Sequence, residues 1–115
     1  MVRLDMQGPY PYNAESVDEH VDLGRMGNFA LGSADEKGNL DVGYLGRSDD
    51  DLKKEIMRHI GEKKYPHFKF SYASSARDAY LKECRNYHGL FLGRPHQTHP
   101  VRPSTGTLVC PICGL

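Results

Sequence analysis

Tryptophan is absent from this chain of 115 residues, cysteine occurs only three times, and there is no net charge, 15 basic side chains facing 15 acidic ones. No run approaches the roughly 18 consecutive apolar residues that a membrane-spanning helix needs, which excludes a span and with it a membrane partner. The opening Met1-Val2-Arg3-Leu4-Asp5 has no apolar stretch of the secretory kind, so the expected compartment is the cytoplasm. An odd cysteine count in such a chain speaks against a closed disulfide framework. Apolar residues make up 38% of the chain and the mean hydropathy is −0.62. A single domain of this size buries only about 65% of the surface of its unfolded chain, so an additional staple would be useful.

The zero net charge conceals a division. Residues 1–51 carry 4 basic and 11 acidic side chains, a net of 4 − 11 = −7, whereas residues 52–115 carry 11 basic and 4 acidic, a net of 11 − 4 = +7. Overall neutrality argues against an indiscriminate binder of polyanions, but this asymmetry leaves room for a basic face.

The three cysteines lie in the last third. Cys110-Pro-Ile-Cys113 is a C-x-x-C knuckle, and Cys84-Arg-Asn-Tyr-His88 puts a thiol and an imidazole on one face of a helix. Together they make a Cys3His set, the soft donor mix of tetrahedral structural zinc. His99 is an alternative to His88, and His96 a less suitable one. A redox role for Cys110 and Cys113 fits less well, because a thioredoxin-like pair opens a helix after a strand.

Periodicity supplies the fold. Residues 1–25 are acidic, hold Pro9 and Pro11, show no clear period, and read as an irregular arm. Residues 28–32 and 40–45 are short strands joined by the polar, glycine-containing loop 33–39. A helix follows, capped by Ser48 or Asp49, with Leu52, Ile56 and Ile60 as its apolar stripe and Gly61 as its stop. Strict alternation marks residues 68–72 as a half-buried strand, its Phe68, Phe70 and Tyr72 row suited to the core. Ser75 and Asp78 open a second helix that ends near His88 at Gly89. The expectation is one α+β domain of β-β-α-β-α order: an arm (1–25), a core with a three-stranded antiparallel sheet and flanking helices (26–90), and an irregular zinc-clipped tail (91–115).

Gly27-Asn28-Phe29, then Tyr44-Leu45-Gly46 and a polar-capped helix, resembles the GIY-YIG nuclease family, which has the same element order. The run Tyr44–Asp49, Phe68–Ala73, Lys82-Glu83-Cys84 and the final Cys-Pro-x-Cys is similar to a narrower group of small GIY-YIG-like proteins. The resemblance implies metal-dependent phosphodiester hydrolysis on DNA or structured nucleic acid. Tyr44 then lies near the attacking water, Glu83 binds Mg²⁺ or Mn²⁺, and Arg47 holds the scissile phosphate. Two departures stand out. Phe29 replaces a tyrosine, and Glu55 occupies the place of the family's helix arginine, leaving Lys54, Arg58 and His59 as candidate phosphate-binding groups. A catalytically degraded module of the same fold, holding nucleic acid or a protein without cutting, is the alternative.

Overall fold

The computed structural model describes residues 4–62, 64–90 and 100. It is an α+β fold built on one antiparallel sheet. In chain order the elements are β1 (Gln7–Pro11), α1 (Ala14–His20), β2 (Gly27–Ala34), β3 (Leu40–Ser48), α2 (Leu52–Arg58), β4 (His67–Tyr72) and α3 (Ala76–Leu90). The strands lie in the order β1-β4-β2-β3, so β1 and β3 are the edges. Among the described residues no helix is long and apolar enough to cross a membrane.

The sheet has four strands where three were expected, and there are three helices where two were expected. Both additions come from the segment read as an irregular arm. Its prolines hid the strand, yet proline is tolerated on an edge strand because one row of N–H groups there goes unused. The β1–β4 register also shifts between Gln7 and Tyr10, around Pro9. After this strand, Asn13 caps α1 by accepting the Ser16 N–H at 2.8 Å. Val17 and Val21, four residues apart, point into the core and are buried.

Strand alternation divides the interior into two layers. Phe29, Leu31, Phe68 and Phe70 face α1 and α2, packing with Val17, Val21, Leu52 and Ile56. On the opposite face Ala30 and Leu45 pack with Tyr87 of α3, and Asn28 donates to the Ala79 carbonyl at 2.8 Å. Helix α2 is capped by Asp51 rather than by Ser48 or Asp49. Ser48 instead accepts the Asp51 N–H at 2.9 Å, shaping the turn before the helix. Ile60 lies past the helix end, and α3 runs through Gly89 to Leu90.

The Tyr12 hydroxyl donates to the Ile56 carbonyl at 2.8 Å and ties the residue after β1 to α2. Burial first, then the Glu62 carboxylate and Tyr44, push this phenol well above its usual value of 10. The folded state therefore holds the proton more tightly than the unfolded state does. The associated stability is complete below pH 10 and is lost as pH rises beyond it. Tyr12→Phe should cost about 1 kcal/mol at neutral pH and flatten the alkaline fall in melting temperature. Thermal melts between about pH 8 and pH 11 test this, and an unchanged alkaline slope would refute it.

Candidate functional site

The site forms where edge strand β3 turns both of its faces toward helices. Opposite Leu31 and Gly32, the β2–β3 register skips Gly43, and this bulge precedes Tyr44. Tyr44 points toward α2, its ring 6.1 Å from Phe29 and 5.3 Å from His59. Arg47, three residues on, reaches the other way to α3, where its Nη1 donates to Glu83 Oε1 at 2.7 Å. These side chains meet around the strand edge. They line one cavity of about 440 Å³ together with Phe29, Gly46, Ser48, Asp49, Asp50, Glu55, Arg58 and His59.

The two glycines of the family-like tripeptides have packing reasons. A Cβ on Gly27 would overlap the Ser71 carbonyl and come within 2.8 Å of Leu52 Cδ2, and one on Gly46 would run into the tip of the Phe29 ring. Gly46→Ala is therefore expected to destabilise the fold by about 1–3 kcal/mol through overpacking. It should also displace the ring that contacts Tyr44 and His59. Urea unfolding measures the first effect, and a midpoint equal to that of the native chain would refute it.

Arg47 is held by two carboxylates. Besides Glu83, Asp49 accepts from its Nε at 2.9 Å and its Nη2 at 3.4 Å, and the guanidinium lies 5.1 Å above the Tyr80 ring. Burial works against the charge, but the Asp49 and Glu83 hydrogen bonds outweigh it and keep Arg47 protonated. Burial raises the Tyr44 phenol above its usual value, and the Glu83 and Glu55 carboxylates raise it further against the opposing Arg58 cation. Tyr44 thus stands in the cavity as a neutral phenol, a hydrogen-bonding group before it is a base.

Glu55 does not leave the helix position without a cation. Its carboxylate accepts from Arg58 Nε at 2.9 Å and also pairs with Arg58 Nη2. His59 Nε2 lies 3.3 Å from the same carboxylate. Arg58, three residues on, shares the helix face of Glu55 and lines the same cavity. His59 is buried, and its Nδ1 has no hydrogen-bond partner among the described residues. Lys54 is not brought to this cavity. It lines an adjacent depression of about 410 Å³ with Asp51, sharing Glu55 and Arg58 as a common wall.

The cavity wall carries four carboxylates (Asp49, Asp50, Glu55, Glu83) against two guanidiniums (Arg47, Arg58). Such a net-acidic wall repels a bare phosphate. Its hard oxygen donors do fit Mg²⁺ or Mn²⁺, which bind through one or two carboxylates and complete their shell with water and phosphate oxygens. Among the described residues no group of three or more His, Cys, Asp or Glu is placed to hold a metal ion. Of the zinc candidates, Cys84 is buried beside Tyr80, and His88 lies one turn on with its ring 5.2 Å from Tyr87. Cys110, Cys113, His99 and His96 lie outside the described residues.

No protein-family model matches the chain, and neither curated proteins nor solved structures match it.

Proposed function

We propose that the chain is a GIY-YIG-like domain of the nuclease class that hydrolyses phosphodiester bonds in DNA or structured nucleic acid with Mg²⁺ or Mn²⁺. The observation that supports this reading is the convergence of Tyr44, Arg47 and Glu83, from β3 and α3, on one cavity that Arg58 and His59 of the α2 end also line. Glu83 is the residue that would hold the divalent ion, which when bound would supply positive charge to activate water and offset charge on the phosphate. Arg58, its side chain 63% exposed, is the guanidinium able to swing onto a phosphate oxygen, whereas Arg47, 10% exposed, is a fixed support for Glu83. Tyr44 donates or accepts a hydrogen bond to orient the water.

The competing reading, a module that binds nucleic acid or a protein without cutting, draws on Glu55 at the helix-arginine place and on the double carboxylate hold on Arg47. The net-acidic wall weighs against phosphate binding without a divalent ion. Purified protein should nick supercoiled plasmid in Mg²⁺ or Mn²⁺ and stop in chelator, and Arg58→Ala should slow nicking on the order of a hundredfold. Salt-sensitive binding with no cleavage would establish the non-cutting module. No binding at low salt would remove both nucleic-acid readings.

The same proposal includes a structural zinc held by Cys84, His88, Cys110 and Cys113, with His99 as the alternative imidazole, and a cytoplasmic location. Elemental analysis should find about one zinc per chain. Chelation should lower the melting temperature, and a zinc-free protein that melts unchanged would refute the staple.

A further inference from the structure

Helix α3 carries Glu83 on one flank and a different kind of surface on another. There a second cavity of about 510 Å³ is lined by, among others, Asn28, Ser74, Asp78, Lys82 and Arg85. Lys82 and Arg85 are three residues apart and share one helix face. The Lys82 ammonium donates to the Asp5 carbonyl at 2.6 Å and to Ser71 Oγ at 2.8 Å, both uncharged acceptors that fix its position. Burial draws this amine below its usual range, and Arg85 adds to that against the opposing pull of the Asp5 carboxylate. Neither Lys82 nor Arg85 forms an ion pair among the described residues. Arg47 and Arg58 differ in this respect, each being already engaged by carboxylate.

Asp78 is the one carboxylate in the described lining, and it accepts the Ser74 hydroxyl. The wall is therefore net positive, two cations against one anion, the reverse of the Glu83 cavity. Asn28, 1% exposed, closes part of the wall. Its Nδ2 is used by the Ala79 carbonyl, while its Oδ1 finds no donor among the described residues. An acceptor of that kind suits a ligand with an N–H or O–H beside its negative charge, as a nucleotide has and a bare phosphodiester does not.

We propose that this cavity holds a second phosphate of the nucleic-acid strand cut at Glu83, with Lys82 and Arg85 as its cation pair and Asn28 facing the attached sugar or base. The assignment rests on the proposed function. Lys82 and Glu83 are chain neighbours on α3, so the two cavities lie on flanks of the same helix, which a bound strand would cross.

The test uses the full chain and a cleavage-resistant phosphorothioate oligonucleotide, with affinity measured over a range of salt concentrations. Arg85 is exposed, so Arg85→Ala tests the site without disturbing the core. It should weaken binding about three- to tenfold and reduce the log–log salt slope by roughly 0.9, the signature of one lost phosphate contact. Asp78→Asn should tighten binding. Arg77→Ala removes the same charge from α3 outside this cavity and should bind as the native chain does. An unchanged affinity and slope in Arg85→Ala, or an equal loss in Arg77→Ala, would overturn the site. Inorganic phosphate that shifts the Ser74 and Arg85 amide signals, where the oligonucleotide leaves them unmoved, would overturn the strand in favour of a free anion. If Glu83→Gln nicks as well as the native chain while Arg85→Ala still weakens binding, the hydrolytic reading fails and the phosphate site stands.

Discussion

Glu83→Gln is expected to reduce plasmid nicking about a hundredfold or more while the fold survives. The choice of glutamine matters because of what Glu83 does structurally. Its Oε1 accepts from Arg47 Nη1 at 2.7 Å, and the two side chains are only 8% and 10% exposed. Deleting the carboxylate with Glu83→Ala would leave Arg47 with Asp49 alone and its Nη1 without this acceptor, and would open a gap beside α3. Lost activity in that variant would report unfolding as readily as chemistry. Glutamine keeps an oxygen acceptor of the same reach, and Asp49 still accepts from Arg47 Nε at 2.9 Å. The stability loss should then be about 1 kcal/mol, or roughly 5 °C in melting temperature. What glutamine removes is the negative charge a divalent ion needs. A gel assay of nicking in Mg²⁺, with a circular-dichroism melt of the same sample, separates the two effects. Nicking at the native rate by a folded Glu83→Gln protein would end the hydrolytic reading.

The parts of the fold legible in the sequence were those with an unbroken period. Phe68, Phe70 and Tyr72 alternate with polar residues, and Leu52 and Ile56 repeat at a helical interval. Their strand and helix stand where that pattern put them. The N-terminal segment was illegible for a physical reason. An edge strand pairs on one side only, tolerates proline and a bulge, and therefore lacks the signals that mark a central strand. What makes it a strand is tertiary: Tyr10 lies against Phe68, with ring centroids 5.8 Å apart, and stacks on His20 of α1 at 3.8 Å. Asn13 ahead of Val17 and Val21 was the one local sign of α1.

At the candidate site the short motifs pointed to Tyr44, Arg47 and Glu83, three side chains that do line a common cavity. The side-chain pairing of two neighbours, Arg58 and Asp49, was less accessible to sequence reasoning. Arg58, already a candidate for phosphate binding, lies three residues from Glu55 on the same helix face. A long guanidinium side chain folds back one turn when a carboxylate draws it, as Glu55 does. Asp49 read both as a candidate helix cap and as a partner for a loop-end Arg47; the second reading holds, and capping falls to Asp51. Both outcomes depend on where flexible charged ends settle, which spacing alone does not determine.

Phe29→Ala is expected to cost about 3–5 kcal/mol, because it empties a fully buried position beneath this site. For a domain whose total stability is typically about 5–15 kcal/mol, that is roughly a fifth or more of it. Phe29 sits on central strand β2, fully buried, opposite Gly46 on one side and Phe70 on the other. Its ring fills the space that the absent side chain of Gly46 leaves, and its centroid lies 5.9 Å from His59. Alanine would open a cavity between the sheet and α2 beneath the very side chains proposed to act on the phosphate. The urea midpoint should fall with the slope unchanged, since the surface exposed on unfolding stays nearly the same. A loss under about 1 kcal/mol would contradict the packing described. Phe29→Leu keeps much of the buried area but not the flat ring that Tyr44 and His59 rest against. If that ring positions the two groups, the leucine variant should nick more slowly than the native chain at temperatures where both are folded. Equal rates there would assign the residue at this position, where the resembling family carries a tyrosine, to the core alone.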